Sequence, residues 1–129
     1  MIKPFAIGEK KTFERLVTQE DLAKFESGTV HQVYSTFALA RDAEWCCRLF
    51  VLEMKEDHEE GIGTFVNVTH RSPALLGQKV VFEAILANQE GNNVICKYAA
   101  RVGDRIIAEG EQGQKILPKE KIDSIFAAL

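Results

Sequence analysis

Thr36, Glu44 and His70 are the residues of this chain whose types and positions suit acid–base chemistry. A carboxylate can take a proton from water or attack as a nucleophile, an imidazole titrates near neutral pH, and a hydroxyl can orient either group. His70 stands in the run Gly-Ile-Gly-Thr-Phe-Val-Asn-Val-Thr-His-Arg-Ser-Pro-Ala-Leu-Leu-Gly, residues 61–77, at the end of an alternating stretch and just before a loop. Alternation across a strand puts Val66, Val68 and His70 on one face. An imidazole that continues an apolar face is either a satisfied core histidine or a group aimed at chemistry. Glu44 lies inside a helical, mostly apolar segment, eight positions after Thr36.

Each of the three has a purely local alternative. Glu44 has Arg48 four positions later, the favourable orientation for a helix ion pair. His70 is placed to be a satisfied strand-end histidine, and Thr36 to be a helix cap. Neighbouring signals are weaker. Gly61-Ile-Gly63 is no dinucleotide fingerprint, because Val66 stands where the third glycine belongs and no parallel βαβ unit follows. His58-Glu59-Glu60 lacks metal-site spacing, and His31, His58 and His70 form no recognisable ligand cluster, so no metal is expected. Cys46 and Cys47 read as small core packers.

The elements that must position these groups follow from periodicity. Lys10 to Val17 has β character, and Thr18 reads as the cap of a short helix running to about Phe25. A second extended piece, Val30 to Tyr34, leads to Ser35 or Thr36 as the cap of a long helix from about Phe37 to Met54 or Lys55. Ala40, Ala43, Cys47, Phe50, Val51 and Met54 make one apolar face of that helix, and Trp45, Leu49 and Leu52 a second. A helix apolar on two sides is expected to be enclosed on more than one side. Four β-like runs follow: Ile62 to His70, Lys79 to Gln89, Val94 to Val102 and Arg105 to Ile116. The breaks at Gly91-Asn92-Asn93 and Gly103-Asp104 are of hairpin type, which implies an antiparallel meander. After Pro118 a short amphipathic tail carries Ile122, Ile125, Phe126 and Leu129. The fold class is α+β, one long helix packed on an antiparallel sheet.

Composition narrows the function. At 129 residues the chain is expected to form one domain over 1–129. A net charge of -3 gives no general affinity for nucleic acid. No apolar run reaches signal-peptide or membrane-span length, so no membrane partner is expected. An odd count of three cysteines, two of them adjacent, fits a reducing, cytoplasmic setting better than a disulfide framework.

Three motifs resemble the hotdog-fold thioesterases, in particular the fluoroacetyl-CoA thioesterase-like family. They are Val33-Tyr34-Ser35-Thr36 at the helix entrance, Ala43-Glu44-Trp45-Cys46-Cys47 within the helix, and Gly61-Ile62-Gly63-Thr64 with Val68-Thr69-His70, Ala74 and Gly77. The resemblance covers most of the chain and is weaker before Val30 and after Leu117. It implies a curved antiparallel sheet around one long central helix, and assembly as a homodimer or a dimer of dimers with the pocket at or near the interface. It implies hydrolysis of a small acyl-CoA or related acyl thioester, with Glu44 as base or nucleophile, His70 as acid–base and Thr36 orienting. Coenzyme A would be part of the substrate, and no separate cofactor is implied.

Backbone amides near the start of the long helix, or around Gly63 and Thr64, are candidates to hold the oxyanion. Val30 falls where the family shapes its acyl pocket, but its surroundings differ from those of a fluoroacetate-selective enzyme. Arg41 and Asp42 also depart from the smaller or apolar residues expected at those helix positions. Two other functions share the fold: a non-catalytic protein that binds or senses acyl thioesters, and a hydratase or dehydratase. No dedicated Asp-His segment favours the hydratase.

Overall fold

The computed structural model describes residues 1–129. In chain order the strands are β1 (Lys10–Leu16), β2 (Leu22–Phe25), β3 (Gly28–Tyr34), β4 (Glu59–Val66), β5 (Thr69–His70), β6 (Lys79–Glu90), β7 (Asn93–Val102) and β8 (Arg105–Pro118). Helix α1 (Thr36–Met54) follows β3, and α2 (Lys119–Ala127) closes the chain. The main sheet runs β1-β6-β7-β8-β4, with β5 continuing the β4 edge along β8, and every pairing is antiparallel. The sheet curls round α1, the hotdog arrangement.

Period-two alternation makes the inner surface. Val80, Phe82, Ala84 and Leu86 of β6 are buried, as are Val94, Cys96, Tyr98 and Ala100 of β7. Against them α1 turns Ala38, Leu39, Ala43, Cys46, Cys47, Phe50, Val51 and Met54, spaced as one helical face requires. The second apolar stripe of α1 is not enclosed by this chain. Trp45 is 41% exposed and Leu52 40%. No helix is long and apolar enough to cross a membrane.

Two expectations are corrected. Thr18 does open a turn, but it is a single 3-10 turn, Gln19–Asp21, and Leu22–Phe25 is a strand rather than the end of a helix. That strand pairs with β3 through a turn at Glu26-Ser27, closed by Gly28, whose φ of 110° suits glycine. Tertiary partners outcompete local helix propensity there: the Asp21 carbonyl accepts the Ser35 amide at 2.8 Å, and Leu22 is buried. The run from Ile62 to His70 is also not one strand. It breaks at Asn67, whose carbonyl accepts the Tyr98 hydroxyl and whose side chain accepts the Glu111 amide. Val66, Val68 and His70 therefore do not form one continuous apolar face.

Candidate active site

Ser35 caps α1, its Oγ accepting the Ala38 amide at 3.1 Å. That leaves Thr36, the first helical residue, with a hydroxyl free of capping duty. Its Oγ1 lies 2.9 Å from His70 Nε2, and which of the two donates follows the imidazole tautomer. His70 is held at a strand end. Thr69 and His70 pair with Glu109 and Ala108 of β8, and the amides of Arg71 and Ser72 both return to the Ile107 carbonyl. The pair lines a cavity of about 510 Å³, with Val30, His31 and Phe25 of the β2–β3 hairpin and Phe37 of α1 among its walls.

Tyr34, which also lines that cavity, belongs to a cluster of charge whose two carboxylates, Asp21 and Asp42, are buried. The Tyr34 hydroxyl donates to Asp42, and Arg41 binds both Asp42 and Asp21. Arg15 forks onto Asp21 at 2.8 and 3.2 Å. Burial opposes ionisation of Asp21, yet hydrogen bonds from Arg15, Thr18 and Arg41 hold its carboxyl well below the usual range. Burial and Asp42 together push the Tyr34 phenol up. This network ties β1, β3 and α1 together where Thr36 is mounted. Its signal in the chain was Arg41-Asp42, adjacent charges at helix positions where smaller or apolar residues were expected.

Glu44 stands elsewhere. It lines a second cavity of about 300 Å³ with Arg41, Trp45, Arg48, Gly61, Gly63 and Gln114. The expected ion pair with Arg48 does not form, because Arg48 donates to Glu60 at 2.7 Å. Glu44 Oε1 instead accepts Gln112 Nε2 at 2.9 Å, and Gln112 Oε1 accepts Gln114 Nε2 at 2.9 Å. A Cβ on Gly63 would run into Glu44 Oε1, so any larger residue where β4 passes the carboxylate would push that group aside. Thr64 is the extra residue of a bulge between Gly63 and Phe65. Within one chain, then, Thr36, His70 and Val30 share one cavity, Glu44 and Gly63 share another, and Thr64 lies exposed on β4.

Gln112 and Gln114 escaped notice in the sequence, although they occupy the inward register of β8 with Ile116. Glu56, His58 and Glu59 do gather ligand atoms within 4.8 Å of one another. The α-ammonium of Met1 occupies that place, 2.7 Å from Glu56 and 2.5 Å from Glu59.

Residues 17–120 match the family described as FlK, fluoroacetyl-CoA-specific thioesterase. A Thermus thermophilus hypothetical protein, described as a thioesterase superfamily member, is 35% identical, with 98% of this chain and 94% of that chain covered and a TM-score of 0.93. The fluoroacetyl-CoA thioesterase FlK is 21% identical over 98% of each chain, with a TM-score of 0.88. A variant of FlK solved with fluoroacetate and CoA is 24% identical over 92% of this chain and 99% of that chain, with a TM-score of 0.82. No curated protein matches by sequence.

Proposed function

The chain belongs to the fluoroacetyl-CoA-specific thioesterase family, and from that premise we propose that it hydrolyses a small acyl-CoA to the free acid and the thiol. The observation that carries the reading is the hydrogen bond between Thr36 and His70 in the wall of a cavity of about 510 Å³. Pockets of that size accept a small organic group. Coenzyme A is supported by the FlK variant solved with fluoroacetate and CoA.

In this reading water attacks the acyl carbon, the C–S bond breaks, and the departing thiolate takes a proton. Glu44 accepts the water proton, or its carboxylate attacks first and water then releases the acyl group. His70 polarises the carbonyl or passes the proton to sulfur, and the Thr36 hydroxyl orients the ring. Backbone amides at Gly63 and Thr64, where the bulge interrupts the ladder, are proposed for the oxyanion.

Glu44 and the Thr36–His70 pair occupy different cavities of one chain, and a second copy is proposed to join them. Two features support a homodimer, or a dimer of such dimers. Phe37, Trp45 and Leu52 leave an apolar stripe on α1 uncovered, and Phe65 and Val66 are exposed on β4. β4 also has a hydrogen-bonded neighbour on one side only, an edge that pairing would close.

The test is thiol release across acyl-CoAs of increasing length, with Glu44→Ala and His70→Ala beside the wild type. Short chains should be hydrolysed and both variants should fail. Silence of the wild type on every acyl-CoA, or full activity in Glu44→Ala, would overturn the proposal.

A further inference from the structure

Two glutamines back the cavity that holds Glu44. Gln112 is 1% exposed and Gln114 3%. Burying an amide is costly unless its polar atoms find partners, and the partners of Gln112 are specific. Its Nε2 donates to the Gly113 carbonyl at 3.0 Å and to Glu44 Oε1 at 2.9 Å, while its Oε1 accepts Gln114 Nε2 at 2.9 Å. A backbone carbonyl can only accept, so the atom that faces Gly113 must be the amide nitrogen. The group meeting Glu44 is therefore an obligatory donor, and it is neutral.

The nearby cations are engaged elsewhere, Arg48 with Glu60 and Arg41 with Asp21 and Asp42. Gly63 closes another side of Oε1, where a Cβ would collide with it. Resting on the role given to Glu44 above, we infer that Gln112 is a positioning residue: it commits Glu44 Oε1 and leaves Oε2 as the oxygen that takes the proton or attacks carbon. Gln114 acts one step further back, holding the Gln112 carbonyl and so the direction of its amide. A neutral donor fixes the carboxylate without cancelling the charge that the reaction uses.

The test compares kcat and KM for acyl-CoA hydrolysis in Gln112→Met, Gln112→His and Gln114→Met beside Glu44→Ala, with thermal unfolding of each. Gln112→Met should lower kcat about ten- to a hundred-fold, the range for a misplaced reacting group, with KM unchanged. Gln112→His should recover part of that loss, because an imidazole N–H can replace the donor to Glu44 although not the second one to the Gly113 carbonyl. Gln114→Met should lower kcat several-fold, again without moving KM. Wild-type kcat in Gln112→Met, with Glu44→Ala inactive, overturns the inference and leaves the hydrolytic reading standing. Full activity in Glu44→Ala overturns both. Should Gln112→Met fail to fold, Gln114→Met decides: a wild-type kcat there overturns the inference, and a fall in kcat at constant KM upholds it.

Discussion

Thr36 Oγ1 and His70 Nε2 stand 2.9 Å apart although 34 residues separate them in the chain. Both sit at the ends of regular elements, one at the first turn of α1 and the other at the last residue of β5. Neither is needed for the packing of its own element. Ser35 does the capping, and His70 is exposed. Substitution of either residue should therefore separate an effect on activity from one on stability more cleanly than substitution at a core contact would.

His70→Ala should lower turnover by about a hundred-fold or more, as loss of a positioned acid–base group does. Its unfolding free energy should move by no more than about 0.5 kcal/mol, the usual range for surface changes. Thr36→Ala should be milder in rate, since the hydroxyl orients but need not carry the proton. The Glu44→Ala, His70→Ala double variant should lose far less than the product of the single losses if the groups act as a unit, as proposed. Thiol-release kinetics and thermal melts read all four.

Gly61 and Gly63 face the same helix but should fail differently when changed to alanine. A Cβ at Gly61 meets Val51 Cγ1 at 2.7 Å, an overpacking that should cost about 1–3 kcal/mol. A Cβ at Gly63 meets the Glu44 carboxylate itself. Gly63→Ala should therefore reduce kcat by about ten-fold or more through displacement of that group. Denaturant titration beside kinetics would distinguish them, and equal kcat in the two variants would contradict the expectation.

The buried carboxylate of Asp21 predicts an acid limb of stability. The Asp21 carboxyl is held below its unfolded value, which is about 3.9. Such a group adds stability that is complete above the unfolded value and is lost as pH falls through it towards the folded one. Urea unfolding from pH 7 to pH 3 should show stability declining below about pH 5, and Asp21→Asn should have a lower plateau and a flatter decline. Tyr34→Phe, which removes a donor from buried Asp42, should cost about 1–3 kcal/mol at neutral pH.

Trp45→Glu places a charge in the uncovered stripe of α1. It should shift the protein towards the monomer in light scattering and reduce hydrolysis in parallel. Phe126→Glu, on the exposed face of α2, should change neither. Activity retained in a monomeric Trp45→Glu protein would show that one chain is sufficient.

Periodicity made the large elements legible. The helix read from about Phe37 to Met54 is Thr36–Met54, and the runs beginning at Lys79, Val94 and Arg105 are strands within two residues of their expected bounds. These segments carry strong, uninterrupted patterns and hairpin breaks. The β2–β3 hairpin was not legible, because Leu22–Phe25 takes its conformation from β3 and not from its own residues. Side-chain partners were harder still. Spacing along α1 favoured Arg48 for Glu44, but β4 brings Glu60 to Arg48 and β8 brings Gln112 to Glu44. Such choices depend on strands more than ten residues away, and no local pattern records them.

Cys46, Cys47 and Cys96 are all fully packed inside, and burial pushes the Cys46 thiol up to about 12. Mixed disulfides form only when a thiolate and a partner sulfur can meet. An enzyme that liberates a free thiol at every turnover works beside a compound that, once oxidised to its disulfide, could cap an accessible cysteine thiolate by exchange. With all three cysteines buried between α1 and the sheet, the folded protein offers such a disulfide no accessible sulfur to exchange with.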